Sequence, residues 1–316
     1  WTNAQLFIQG TEGIAKKAPL LAELLNSFLR TPQPMMPTML LGVGYNAVVL
    51  GGNSSLTIDV GTLLLGDSVI DQTDKKGGDR GIRLSGSNNT LTIYADRIVS
   101  YTGDEFIHVR QGNGSSVANI GSADRRIGYF EAHTGWGKDD YGVALLQANE
   151  GNKVFLYADE AVLDGSTNSQ GGVIGSGGWG EVHVDANKLT INGNICGSYG
   201  TMSNADKQLT LSVRAGTLDM TGDINVGNEA KGNSNFDRNT TVEIEADVLN
   251  LKGDIKVDNN KRTGSKAEGD NISAVNLTVT KRPISSARLL PRKRMEHQLS
   301  PWAAQAMRQP PPASTK

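Results

Sequence analysis

The chain contains little cysteine and few aromatic residues. A single cysteine, Cys196, excludes an internal disulfide bond and a cysteine-based zinc site. Aromatic residues make up 5 % of the 316 residues, which does not favour a helical enzyme. No apolar run reaches the roughly 18 residues that suggest a membrane-spanning helix. The sequence therefore predicts neither a disulfide scaffold nor a helical membrane protein.

Proline is absent from the whole stretch between Val43 and Thr280. Four of the ten prolines lie in residues 14–41, and the other six lie in residues 281–316. Proline removes a backbone N–H group that a sheet needs, so its absence favours a long run of paired strands. The 38 glycines are typical of many tight bends between such strands.

Acidic and basic residues are unevenly distributed along the chain. Residues 281–316 hold eight of the 31 basic residues and one of the 33 acidic residues, so residues 1–280 carry a net charge of −9. Nucleic-acid binding needs a basic surface, and the acidic body of the chain is a poor candidate for it. No nucleic-acid partner is expected.

One sequence pattern occurs three times without a gap. The copies are Val182–Ile195, Leu211–Ile224 and Val242–Ile255, and their alanines lie 29 and 31 residues apart. Apolar residues alternate within each copy, which is typical of a β-strand with one buried face. A single copy cannot bury that face alone, so the copies must stack. A β-propeller blade needs about 40–45 residues, and the shorter spacing favours a parallel β-helix.

Stacking of the copies in register predicts columns of identical or similar residues. The inward columns are Val184–Val213–Ile244, Leu189–Leu218–Leu249 and Ile191–Met220–Leu251. Weaker copies begin at Leu56, Leu91, Val154 and Val275, and a degraded turn is predicted at Val117–Ile120 and Ile127–Phe130.

The repeated pattern resembles the passenger regions of bacterial autotransporters. The residues that carry the resemblance are Leu91–Ile98, Lys188–Ile195, Leu209–Ile224 and Thr241–Ile255. The resemblance implies an extracellular, right-handed parallel β-helix that is exported through a C-terminal outer-membrane β-barrel. It also implies roles in adhesion, aggregation and biofilm formation, sometimes with an attached protease or esterase. This sequence contains neither the barrel nor a signal peptide, and we expect a signal to lie upstream if the protein is exported.

The predicted fold class is all-β, with three segments. Residues 1–42 form an N-terminal cap or a linker foreign to the fold, in which apolar spacing from Leu20 to Leu29 predicts a short helix. Residues 43–280 form a single-stranded, right-handed parallel β-helix. Residues 281–316 form a basic, proline-rich tail, which is predicted to be disordered or translated out of frame.

No catalytic residue, cofactor or metal site is predicted. The outward column Asp185–Arg214–Glu245 alternates in charge and predicts a ladder of ion pairs. A second column, Asn194–Asp223–Asp254, places two carboxylates on adjacent turns. Its side chains either cap the backbone at a bend or form a weak calcium site.

Five aromatic residues that look exposed leave two interpretations open. They either fill a wide core layer or cover a loop, or they stack on sugars. These residues are Tyr129, Phe130, Trp136, Tyr141 and Trp179.

The expected function is that of a surface-exposed or secreted bacterial stalk and adhesin. Its partners would be host-surface or matrix glycans and proteins, or other bacterial cells. The alternatives are a polysaccharide lyase or glycoside hydrolase on the same fold, and a structural spacer without a ligand. Any function beyond the rod is expected in the irregular turn at about residues 104–150 and in the loops between the copies, since recognition usually lies in loops.

Overall fold

A computed structural model gives the fold of most of the predicted β-helix. The described residues are 38–41, 46–66, 80–102, 105–110, 114–134, 144–165, 172–175, 179–196, 208–227, 239–258, 273–281 and 285–289. The predicted helix at Leu20–Leu29 lies outside these residues, as do Trp136 and Tyr141. Among the described residues, no helix is long and apolar enough to cross a lipid bilayer.

Every regular element in these ranges is a β-strand. In chain order the strands are β1 (Thr38–Leu41), β2 (Asn46–Leu50), β3 (Ser55–Leu65), β4 (Arg80–Leu84), β5 (Thr90–Thr102), β6 (Ile107–Val109), β7 (Val117–Ile120), β8 (Ile127–Thr134), β9 (Leu146–Ala148), β10 (Lys153–Asp164), β11 (Gly172–Gly175), β12 (Gly180–Asn192), β13 (Asn194–Cys196), β14 (Gln208–Thr221), β15 (Ile224–Gly227), β16 (Asn239–Asp258), β17 (Ser273–Val279) and β18 (Ser285–Leu289).

The strands stack in parallel as a β-solenoid, which confirms the predicted fold class. Each long strand pairs with the long strand of the next turn, in the order β3, β5, β7 with β8, β10, β12, β14 and β16. The short strands that precede them form a separate stack, which includes β2, β4, β6, β9, β11 and β13.

The predicted register of the three best copies is confirmed. Val184 lies opposite Val213, and Val213 lies opposite Ile244. The leucine column and the column that contains Met220 are paired in the same way, and all of these side chains are at most 2 % exposed. The core is therefore a set of apolar columns that run along the solenoid, as expected when alternate residues of stacked strands face inward.

The degraded turn is also confirmed. Ala118 of β7 lies opposite Leu91, and Phe130 of β8 lies opposite Ile98. Phe130 is fully buried and makes an edge-to-face contact with Phe106, with ring centroids 5.0 Å apart. Two large rings thus fill a core layer in which the aliphatic pattern is interrupted.

A glycine near the end of each copy lies where the backbones of neighbouring turns approach closely. Gly193 and Gly222 adopt φ values of 134° and 144°, which residues with a side chain rarely adopt. A Cβ atom at Gly222 would collide with the carbonyl oxygen of Gly193, and one at Gly253 would collide with that of Gly222. These glycines therefore stack from turn to turn, and at Gly193 and Gly222 the backbone conformation also favours glycine.

Regular pairing continues beyond the predicted end of the solenoid. The sequence pattern ends between Val279 and Lys281, whereas β18 (Ser285–Leu289) pairs in parallel with β16 after a register shift. Five residues of the predicted tail thus form a strand by backbone pairing, which needs no alternating apolar pattern. The remainder of the tail after Leu289 lies outside the described residues.

Candidate functional site

The predicted ion-pair column Asp185–Arg214–Glu245 forms only in part. Arg214 lies 3.9 Å from Glu245, and both side chains are more than half exposed. Asp185 instead accepts a hydrogen bond of 2.8 Å from Arg126, whose guanidinium also donates to the carbonyl oxygen of Ala158. Arg126 thereby joins three turns of the solenoid, so this region has a structural role.

The column Asn194–Asp223–Asp254 caps the backbone of its neighbouring turns. The Oδ1 atom of Asn194 accepts the N–H of Asp223 at 2.7 Å, and Oδ1 of Asp223 accepts the N–H of Asp254 at 2.9 Å. The ammonium of Lys256 lies 2.6 Å from Oδ2 of Asp223. A cation of the chain itself therefore neutralises the carboxylate that a calcium ion would need, and the structure favours the capping interpretation.

The aromatic residues separate into different environments. Phe130 belongs to the core, and the ring of Trp179 lies against Gly151 at a bend, so both fit the interpretation of core filling or loop covering. Tyr129 lies on the outward side of β8, because its neighbours Phe130 and Ala132 alternate with it as buried residues. Tyr129 thus remains available as part of a surface site.

Tyr129 belongs to a group of interacting side chains on the outward face of β5, β8 and β10, which we call the His133 cluster. Its members are Arg97, Tyr101, Tyr129, Glu131, His133 and Asp164. Register explains why they meet, since Tyr101 lies opposite His133, and His133 lies opposite Asp164 on the next turn. The cluster occupies the irregular turn and its two neighbours.

His133 is the centre of this cluster. Its Nε2 atom lies 2.7 Å from Oε1 of Glu131, and its Nδ1 atom lies 3.4 Å from Oδ2 of Asp164. Its ring stacks on that of Tyr101 at a centroid distance of 4.6 Å. The three polar side chains are between 19 and 24 % exposed, so they are fixed by their contacts and still reach solvent.

Tyr129 and Arg97 complete the cluster beside Glu131. The phenol of Tyr129 donates a hydrogen bond of 2.9 Å to Oε2 of Glu131. The guanidinium of Arg97 lies 4.6 Å from the centroid of the Tyr129 ring and 4.0 Å from Oε2 of Glu131, and this side chain is about half exposed. The cation–π contact holds the long arginine side chain along the face of the cluster.

The contacts within the cluster change the acidity of its members. The hydrogen bond to Asp164 raises the pKa of His133 above its ordinary value, against the effect of burial, and the bond to Glu131 adds to this rise. Burial would raise the pKa of Glu131, but hydrogen bonds from His133 and Tyr129 outweigh burial and lower it. These contacts therefore favour the protonated form of the His133 imidazole and the ionised form of Glu131.

A second polar group, the His108 network, lies under the surface of the same turns. It consists of Glu105, His108, Gln147 and Asn149. Asn149 Nδ2 lies 3.0 Å from Nε2 of His108, whose Nδ1 lies 2.9 Å from Glu105. Gln147 donates to Asn149 at 3.4 Å, and both His108 and Gln147 are at most 7 % exposed. The burial of this network indicates that it orders the irregular turn.

The sequence placed any function beyond the rod in the irregular turn at about residues 104–150 and in the loops between the copies, but it did not identify these residues. Two signals were present in retrospect, since Glu131-Ala-His133 and Glu181-Val-His183 both place a glutamate and a histidine on one face of a strand. Tyr101 and Asp164 lie on the turns before and after β8, so their place in the cluster could be predicted only from the register of three turns. The weak repeat in the middle turn obscured that register.

The geometry of the His133 cluster limits its chemistry. Both nitrogens of the imidazole are bound by carboxylates, so the ring is oriented for neither metal binding nor activation of a nucleophile. Across the described ranges, no group of three or more histidine, cysteine, aspartate and glutamate side chains could hold a metal ion. The cluster instead offers a fixed arrangement of rings and charges, which suits recognition of a ligand.

Comparisons with known proteins do not extend this description. No protein-family model, no curated protein and no solved structure matches the chain.

Proposed function

We propose that this chain is the β-helical passenger of a bacterial surface or secreted protein and that it acts as an adhesive stalk. The observation that carries the proposal is the continuous parallel register of the long strands from β3 to β17. Such a stack is stabilised mainly by contacts between neighbouring turns, which gives a rod that can hold loops away from a cell.

The repeated pattern that resembles autotransporter passengers supports the same function. In this proposal the rod is right-handed, it is exported through a β-barrel of the full-length protein, and it acts outside the cell. Its partners are host or matrix glycans and proteins, or neighbouring bacterial cells.

The His133 cluster supports adhesion over a purely structural spacer. A spacer needs no preorganised rings and charges on its outer face, whereas a binding surface gains from side chains that are already fixed. Cleavage of polysaccharide has less support, because Glu131 and Asp164 share one imidazole. A glycosidase needs one carboxyl group as an acid and a second as a base or nucleophile.

Location at the cell surface is tested with antibodies against the purified chain. Labelling of intact, unpermeabilised cells of the producing bacterium, with loss of the signal after mild protease treatment, is the expected result. Labelling that requires lysis would overturn the proposed location.

Adhesion is tested with beads that carry the purified 316-residue chain. We expect the beads to attach to extracellular matrix, host cells or the bacteria themselves, and bare beads serve as the control. Surface location without attachment to any of these targets would favour the spacer.

A further inference from the structure

We propose that the His133 cluster is a binding site for a neutral saccharide, with the Tyr101 ring as its stacking surface. This inference rests on the proposed adhesive function and gives the chemical class of its ligand. The argument follows from the two faces of the Tyr101 ring, the charges of the cluster and its remaining hydrogen-bonding capacity.

The two faces of Tyr101 have different neighbours. One face is covered by the imidazole of His133, which is parallel to it within 1°. On the other side lies the preceding turn, where the last registered pair is Leu65 with Ser100, and the next residue is Gly66. Gly66 has no side chain to place over the ring. The Tyr101 side chain is partly exposed, and we infer that its ring is the apolar surface that receives the C–H face of a sugar.

The charges of the cluster select against a charged ligand. The guanidinium of Arg97 lies 4.0 Å from Glu131, and the imidazole of His133 lies between the carboxylates of Glu131 and Asp164 on the same face. An acidic sugar would place its carboxylate near two existing carboxylates, and the repulsion would weaken binding. A ligand without net charge, whose hydroxyl groups both donate and accept, matches this surface.

Polar atoms around Tyr101 can bind such hydroxyl groups. Glu131 accepts hydrogen bonds from Tyr129 and His133 and also interacts with Tyr101, which leaves about one of the roughly four acceptor positions of a carboxylate. Arg97 can add donors from a guanidinium that is about half exposed. Hydrogen bonds that involve ionised groups are the stronger ones, so these two side chains would orient the sugar ring.

Preorganisation strengthens the case for binding. Glu131 is held by a histidine at 2.7 Å and a tyrosine at 2.9 Å, and His133 is held on both of its nitrogens. These side chains are fixed before a ligand arrives, so binding costs little further conformational entropy.

The test uses the purified chain and immobilised oligosaccharides of two kinds. Neutral hexamers of glucose and xylose are the probes, and an oligogalacturonate hexamer is the acidic comparison. We expect binding to a neutral probe and weaker binding to the acidic one, followed by calorimetry on the best probe. Absence of binding to neutral saccharides, or preference for the acidic probe, would overturn the proposal.

Variants then locate the site. Tyr101→Ala and Glu131→Gln should each weaken binding by about tenfold or more, because each removes a main contact. Tyr101→Phe retains the ring and should bind nearly as well as the wild type. The matched control is Phe155→Ala, since Phe155 stacks on His183 in a separate column at a centroid distance of 4.9 Å. All variants are checked for the far-UV circular dichroism of the native solenoid.

The outcomes separate this proposal from the adhesive function. Saccharide binding that is unchanged in Tyr101→Ala and Glu131→Gln would reject this site, irrespective of the result of the bead-attachment assay. Bead attachment that persists in folded Tyr101→Ala after saccharide binding is lost would leave adhesion intact and reject the saccharide as its ligand. Saccharide binding that depends on Tyr101, without bead attachment, would support the site and contradict the adhesive stalk.

Discussion

The imidazole of His133 lies parallel to the phenol ring of Tyr101, with an interplanar angle of 1° and a centroid distance of 4.6 Å. The carboxylates of Asp164 and Glu131 hold the imidazole in this position. The same bonds raise the pKa of His133, so the folded protein retains this proton to a higher pH than the unfolded chain does.

The stability that His133 contributes should depend on pH. A raised pKa gives a contribution that is full below the unfolded pKa of His133, about 6.5, and is lost as the pH rises through the folded pKa. The lowered pKa of Glu131 sets the lower pH limit, because the stability that Glu131 contributes is lost as the pH falls through this pKa. His133→Gln should therefore cost about 1 kcal/mol near pH 5.5, and less near pH 8.5.

Urea unfolding of both proteins at these two pH values provides the measurement. Asp164→Asn is the companion variant, and it should lower the pKa of His133 in an NMR titration because it removes the first cause of the rise. An equal difference between wild type and His133→Gln at both pH values would contradict the prediction.

Gly222→Ala should destabilise the solenoid strongly. The φ value of 144° at Gly222 is unfavourable for alanine, and the new Cβ atom would meet the backbone of Gly193 on the neighbouring turn. A cost of about 2 kcal/mol or more is expected. Gly51→Ala is the control, because a Cβ atom there meets nothing within 4 Å, and its midpoint in urea should stay close to that of the wild type. Similar losses in both variants would show that close approach at Gly222 is not the cause.

Much of the fold could be predicted because each copy repeats the same physical requirements. Alternation defined the inward face, and alignment of Ala186, Ala215 and Ala246 gave the register that the structure shows. Even the weak turn at Val117–Ile120 was located correctly, since its neighbours left space for one layer.

The candidate site could not be predicted in the same way. Its residues occupy outward positions, where stacking imposes no residue type and so leaves no pattern. Arg126 illustrates the difficulty, because it reaches Asp185 across 59 positions in sequence and takes the place that Arg214 was expected to fill. The β18 strand was missed for a related reason, since backbone pairing alone places it beside β16.

Asp223 should stabilise the bend through its side chain rather than through a bound metal. Burial raises its pKa, but the backbone N–H of Asp254 and the ammonium of Lys256 outweigh burial and lower it. Asp223→Ala should cost about 1–2 kcal/mol, and Asp223→Asn should cost less because its carbonyl oxygen can still accept the N–H of Asp254. The contribution of Asp223 should be lost as the pH falls through its lowered pKa.

Thermal unfolding with and without millimolar calcium tests the same bend. We expect no rise in the melting temperature, because Lys256 already neutralises Asp223 at 2.6 Å. A calcium-dependent rise in the wild type that disappears in Asp223→Asn would contradict this assignment and restore the calcium site.

Asn149→Ala should loosen the irregular turn that supports the His133 cluster. Asn149 contacts His108 at 3.0 Å and Gln147 at 3.4 Å, and the loss of a partner for these buried groups should cost about 1–3 kcal/mol. Asn187→Ala is the matched control, because Asn187 makes an exposed hydrogen bond of 3.0 Å to Asp159, and its loss should change little. Hydrogen exchange of the amides in residues 105–110 should accelerate only in Asn149→Ala, since His108 lies in this segment. Unchanged exchange in Asn149→Ala would show that other contacts order the turn.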